Sequence, residues 1–185
     1  MIFSDFELVT MGMKFLGETA YESTDCVGSC EESLNSKTVS KKCRGIEVKT
    51  RTKGTGTGEL KISAHYPYDV RTTSLGMALA DLKAGVMAYG QNSVHKVFST
   101  VMLVEDEDGN QKLKAYPNCV VKEAPSIKIE NGSEEVSEVE MTISFMPDEH
   151  GNGMYEAIVS QLTDETVKTT WMTAFTPELV RVQSV

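Results

Sequence analysis

Apolar and polar side chains alternate most cleanly over residues 136–146, where Val139, Met141, Ile143 and Phe145 point one way and Glu138, Glu140, Thr142 and Ser144 the other. That period of two predicts a strand with one buried face. Leu60, Ile62, Ala64 and Tyr66 alternate in the same way with Glu59, Lys61, Ser63 and His65. With residues 44–53 before them and Gly54-Thr-Gly56-Thr-Gly58 between, they predict a hairpin turning at the glycines. Residues 95–104 are β-branched and apolar on both faces, which predicts a central strand covered on both sides, and Asp108-Gly109 supplies a hairpin turn into residues 112–121.

Helical spacing occurs three times. Leu75, Leu79, Leu82 and Val86 predict an amphipathic helix over residues 75–90 that packs on the sheet. Met154, Ile158 and Leu162 predict a short helix, and Val167, Trp171 and Phe175 a last one that Pro177 stops. Residues 3–16 are too irregular to be more than an N-terminal strand or arm. Residues 17–43 hold almost no large apolar side chain and are rich in Ser, Thr, Glu and Lys. They read as a long exposed loop, a length that in a compact domain usually carries function. Residues 177–185 form a C-terminal tail that a neighbour would order. Together these elements predict a mostly β protein with flanking helices: an antiparallel sandwich or half-barrel packed by one amphipathic helix, as a single domain over residues 1–185.

Charge narrows the partners. The net charge is −9, and residues 104–185 alone carry −10, so binding to duplex nucleic acid through phosphate neutralisation is disfavoured. The acidic half is either a solvated face or a wall past which something negative moves without sticking. No apolar run approaches the roughly 18 residues of a membrane span, and no membrane partner is expected. The first residues, Met-Ile-Phe-Ser-Asp-Phe-Glu, lack the basic start of a secretory signal, so Cys26, Cys30, Cys43 and Cys119 are expected to be reduced thiols.

Catalytic chemistry is hard to assemble from these residues. Cys26-x3-Cys30-x12-Cys43 lacks a fourth ligand in a paired spacing, with only His65 or Cys119 to supply one, so no metal is expected. Asp148-Glu-His150-Gly-Asn152-Gly153 touches the calcium-loop pattern but has His at position 3 and Val159 at position 12, so it reads as a turn with a glycine hinge. The glycines at 54, 56 and 58 fit neither a dinucleotide fingerprint nor a phosphate loop. The three histidines stand in no nucleophile–base arrangement. The chain reads as a non-enzyme with no cofactor, and Met77, Met87, Met102 and Met141 as core.

Three blocks between Glu107 and Val180 carry a resemblance. They are Lys114-Ala-Tyr-Pro-Asn-Cys-Val120, Ile129-Glu-Asn-Gly-Ser-Glu-Glu135 running into the acidic alternating strand, and Met146-Pro-Asp-Glu-His-Gly-Asn-Gly-Met-Tyr-Glu156. In this order, with Leu162-Thr-Asp-Glu165 and residues 171–180 following, the stretch resembles the major tail protein, or tail tube protein, of long-tailed bacteriophages with Gram-positive hosts. The resemblance implies a subunit that is made in the host cytoplasm and ends in the virion tail. Six copies would form a ring, and stacked rings a tube through which DNA passes without specific binding. Its implied partners are itself and the tape measure, tail terminator and baseplate proteins. Glu138, Glu140, Thr142 and Ser144 would line the lumen, where like charge keeps phosphate from adhering. Glu31, Glu32, Lys41, Lys42 and Arg181, on the long loop and the tail, would make contacts between rings. Two alternatives stay open: the tube protein of a type VI-like secretion system, and a monomeric acidic β-domain that binds a metal or small ligand.

Overall fold

A computed structural model of the chain describes residues 2–132 and 136–182. Its elements run β1 (Glu7–Phe15), β2 (Glu22–Thr24), β3 (Val27–Cys43), β4 (Ile46–Ala64), α1 (Tyr68–Ser74), β5 (Val97–Glu105), β6 (Gln111–Glu123), β7 (Val139–Phe145), β8 (Tyr155–Ile158) and α2 (Glu165–Ala174). Short 3₁₀ turns occupy Val159–Gln161 and Pro177–Val180. All strands join one antiparallel sheet in the order β2-β1-β5-β6-β7-β4-β3, and β8 shares an edge of β6 with β7. The expected mostly β class with flanking helices is what the chain forms, as one antiparallel sheet that is not closed rather than two sheets packed as a sandwich.

Each face of the sheet carries its own core. On the inner face Met11, Met13, Leu60, Ile62, Phe98, Met102, Tyr116, Met141, Ile143 and Phe145 pack together with Val70 of α1 and with Leu75. On the outer face Val101, Leu113 and Ala115 receive Val167 and Trp171 of α2 and the following Phe175. β5 feeds both cores, as its two-sided apolar pattern predicts: Phe98 and Met102 face inward and Val101 outward. Of the methionines read as core, Met102 and Met141 are buried, Met77 packs against the rim of the inner core, and Met87 is half-buried.

Several expected elements take another form. Residues 27–43 are not a loop but a 17-residue strand, paired along its length with β4. The hairpin turns at Arg44-Gly45, both with positive φ (51° and 80°) as a two-residue type I′ turn requires, while Gly54, Gly56 and Gly58 lie inside β4. The helix expected over residues 75–90 is absent. The segment 68–74 is helical instead, and the chain leaves it at Gly76, whose φ is +63° and where a side chain would strike the backbone of Val94. Tyr155–Ile158 is strand and Val159–Gln161 a 3₁₀ turn, in place of the short helix expected around Ile158. The last predicted helix stands as α2, with Asp164 capping the backbone N–H groups of Thr166 and Val167. The start of the expected tail is held by this chain itself, since Leu179 and Val180 pack on the outer core. Among the described residues no helix is long and apolar enough to cross a membrane.

The Glu105–Asn110 turn is held by Asp106. Its Oδ1 accepts the backbone N–H of Asp108 at 3.0 Å and of Asn110 at 2.7 Å, and its Oδ2 accepts Asn110 Nδ2 at 2.7 Å. Burial pushes this carboxyl up, but the bonds from the Asn110 side chain and from the backbone of Asn110, Asp108 and Gly109 outweigh it and hold it below its ordinary range. A depressed folded pKa stabilises above the unfolded value, about pH 4, and the contribution is lost as pH falls through the lower folded value. The melting-temperature gap between wild type and Asp106→Asn should therefore be full at pH 6 and close on acidification. A gap that stays constant to pH 2 contradicts this role.

Candidate assembly surfaces

The face of β7 that points away from the inner core carries Glu140, Thr142 and Ser144; Glu140 is exposed and the other two half-buried. Across β4 they meet Ser63, Lys61 and Glu59 in register. This face is less purely acidic than the strand alone suggests. Lys61 Nζ lies 3.6 Å from Glu140, and Lys122 Nζ lies 2.5 Å from Glu59. Glu31 of β3 stands opposite Lys61. Each lysine thus has a carboxylate beside it, and the result is a polar, locally balanced sheet face. Glu138 sits one residue before β7 with its carboxylate over the backbone of Gly28, at the end of the sheet.

The expected contact residues are scattered. Glu31 and Glu32 alternate on β3, so Glu31 is exposed while Glu32 turns inward onto Lys114 of β6. Lys41 and Lys42 lie far out on the β3–β4 hairpin, and Arg181 caps the last 3₁₀ turn. β4 pairs with β7 only from Gly58 to Ala64. The rest of the hairpin, Ser36 to Gly54 and its tip, continues as a two-stranded ribbon with every residue of 36–54 exposed. Twelve residues beyond Gly58 at about 3.3 Å each give it a reach of about 40 Å. The loop after β7 braces its root, where Gly151 and Gly153 pack on Gly56.

No protein-family model and no curated protein matches this chain.

Where β3 curls toward β1 without pairing to it, a cavity of about 720 Å³ opens between them, lined by Asp5, Leu8, Cys30, Glu32, Lys114 and Tyr116 among others. Burial alone would push the Lys114 ammonium down, but Glu32 beside it, with Asp5 and Glu156 farther off, holds it above its ordinary value. The cavity wall around its sulfur pushes the Cys30 thiol up to about 11, although the residue as a whole is exposed, the opposite of what a nucleophilic cysteine needs. Cys43 sits at the ribbon tip and Cys30 on the body, about 40 Å apart along an extended strand, so Cys26, Cys30 and Cys43 do not converge on a metal.

Asp148 is likewise occupied within its own turn. Its Oδ1 accepts the N–H groups of His150 at 2.9 Å and Asn152 at 3.0 Å, and its Oδ2 accepts the Tyr155 hydroxyl at 2.6 Å. The turn reading of residues 148–153 fits this geometry better than a calcium loop. Beside it His150 Nε2 stands 3.4 Å from Glu178 and 3.7 Å from Glu149, all three on the surface.

Residues 44–53, expected as strand, do form the outer part of β4 from Ile46 on; what the pattern does not show is β3 beside them, and so the ribbon as a whole. Along the ribbon β3 has no buried face, so neither the period of two nor an apolar run marks it. The available signal was compositional: seven cations, Lys37, Lys41, Lys42, Arg44, Lys49, Arg51 and Lys53, against one carboxylate, Glu47.

Proposed function

We propose that this protein is a tail tube subunit that assembles with copies of itself into stacked rings, a conduit for DNA in a phage tail. The observation that carries the reading is the ribbon. An isolated two-stranded hairpin is at best marginally stable in water, and one whose two faces are both uncovered is built for contact with something outside its own subunit. The unclosed sheet supports the same reading, because β3 offers a free edge that pairing between subunits would satisfy. Exposed apolar side chains add to it: Ile2 and Phe6 before β1, Val39, Ile46 and Val48 on the ribbon, and Val94 before β5.

In this proposal Glu140, Thr142 and Ser144 face the lumen with Glu138 at its rim. Lys61 and Lys122 are balanced by carboxylates there and do not hold phosphate. The tape measure, terminator and baseplate proteins would bind the ends of the tube. A type VI-like secretion tube would use the same surfaces.

Sedimentation with limited proteolysis tests the reading. Dilute protein should sediment as a small species cut within residues 36–54, and concentrated protein as a polymer in which that segment is protected. A sedimentation coefficient independent of concentration, with the ribbon cut equally in both samples, contradicts it. The seam cavity favours the second reading, a monomeric ligand-binding β-domain, because the Tyr116 hydroxyl and the Glu32 carboxylate are buried together beside it. That reading expects a melting temperature raised by a small ligand and no polymer.

A further inference from the structure

Strand register sorts the ribbon into two unlike faces. Lys37 stands opposite Lys53, Val39 opposite Arg51, and Lys41 opposite Lys49, which puts five cations on one side. On the other side Thr38 meets Thr52, their hydroxyls 2.9 Å apart, and Ser40 meets Thr50. Glu47, the ribbon's one carboxylate, accepts from the hydroxyls of Ser40, at 2.6 Å, and Thr50. It is thereby turned to the hydroxyl face. Among the described residues none of the seven ribbon cations forms an ion pair.

Like charges directly opposite one another destabilise an antiparallel pair, and the basic face holds two such pairs, Lys37 with Lys53 and Lys41 with Lys49. Nothing on the ribbon neutralises them, which leaves this face open to an anionic partner. Residues 35–57 carry +6 in a chain of −9, leaving −15 on the rest of the molecule.

Acid gathers at the opposite end of the same strands. Val27, Ala64 and Val139 are aligned there, and Asp25, Glu123 and Glu138 stand exposed at or near that end. Among the described residues these three also make no ion pair. We infer, resting on the tube-subunit reading, that the basic face of the ribbon docks on this acidic end of a second copy. The two surfaces lie at opposite ends of one hairpin, so the contact is head to tail, the kind that propagates a stack rather than closing a dimer. A nucleic-acid backbone is the competing polyanion. Screening confines the choice to contact range: a duplex lying along the ribbon runs on to the acidic body, whereas the exposed carboxylates of the acidic end meet a ribbon directly.

Charge exchange tests the docking. Lys41→Glu/Lys49→Glu/Arg51→Glu should cut sedimenting polymer at least tenfold while leaving circular dichroism and melting unchanged, because the ribbon lies outside both cores. Asp25→Lys/Glu123→Lys/Glu138→Lys should do the same. An equimolar mixture of the two folded variants should recover the polymer, since each ribbon then meets an opposite charge.

If the ribbon variant polymerises like wild type, the docking is overturned and the tube reading stands. If wild type itself never associates, both fall. If the mixture stays dispersed while wild type assembles, the acidic end is not the acceptor. If wild type shifts a DNA duplex and the ribbon variant does not, with assembly intact in both, the ribbon is a nucleic-acid contact and the inference is overturned.

Discussion

Trp171→Ala should lower the unfolding free energy by about 3–5 kcal/mol, the usual cost of emptying a large aromatic site in a core. Trp171 is 2% exposed, its ring centre is 4.7 Å from that of Phe175, and its indole N–H donates to the Lys114 carbonyl at 3.2 Å. Truncation would remove a central contact between α2 and the sheet and the indole N–H bond to that carbonyl. The position also joins the two faces, because the Lys114 side chain reaches through to Glu32 on the inner side. Trp171→Phe should cost less, since it keeps most of the apolar volume and loses the N–H. Urea unfolding followed by circular dichroism measures both, because Trp171 is the chain's single tryptophan and its fluorescence is lost with it. A loss under 1 kcal/mol for the alanine variant would contradict the packing of the outer core.

The second large effect is at Gly58. This residue pairs with Phe145 where β4 leaves the body of the sheet. A methyl group there would lie 2.8 Å from Phe145 Cε1 and still closer to Cζ and to the Ser33 carbonyl. Phe145 is buried at 1% exposure, and the Ser33 carbonyl is backbone that cannot swing aside. Gly58→Ala should therefore destabilise by about 3 kcal/mol, at the upper end of ordinary overpacking. Gly54→Ala, four residues along the same strand with nothing within 4 Å of the added carbon, should be near neutral. Equal melting temperatures for the two variants would contradict the close approach at Gly58. The damage at Gly58 falls at the root of the ribbon, so this variant should also assemble poorly.

What the sequence revealed follows where burial is one-sided or complete. β7 was legible because Met141, Ile143 and Phe145 enter the inner core while Glu140 stays in water, and β5 because it is covered on both faces. α2 was legible from Val167, Trp171 and Phe175. Of the ribbon, residues 44–53 were legible as strand but β3 was not, because alternation records burial and neither ribbon face is buried. The spacing of Leu75, Leu79, Leu82 and Val86 misled for a local reason: Gly76 and Gly85 adopt positive φ, and Val86 is exposed. A periodic stripe across two such residues does not make a helix. The polar face of β7 was readable as a row, but the lysines that balance it come from β4 and β6, and only the fold brings them there. Pattern alone places Glu32 on the surface, because it does not show the sheet curling until β3 faces Lys114. Of the three blocks behind the family resemblance, Ser133–Glu135 lies outside the described residues.

The proposed tube is built from copies of this chain alone. Negative-stain electron microscopy of concentrated protein, with a dilute sample beside it, tests that most directly. Hollow tubes or stacked rings in the concentrated sample and small particles in the dilute one are the predicted result. Small particles alone at every concentration, even after seeding with sheared polymer or with purified tail ends, would contradict it.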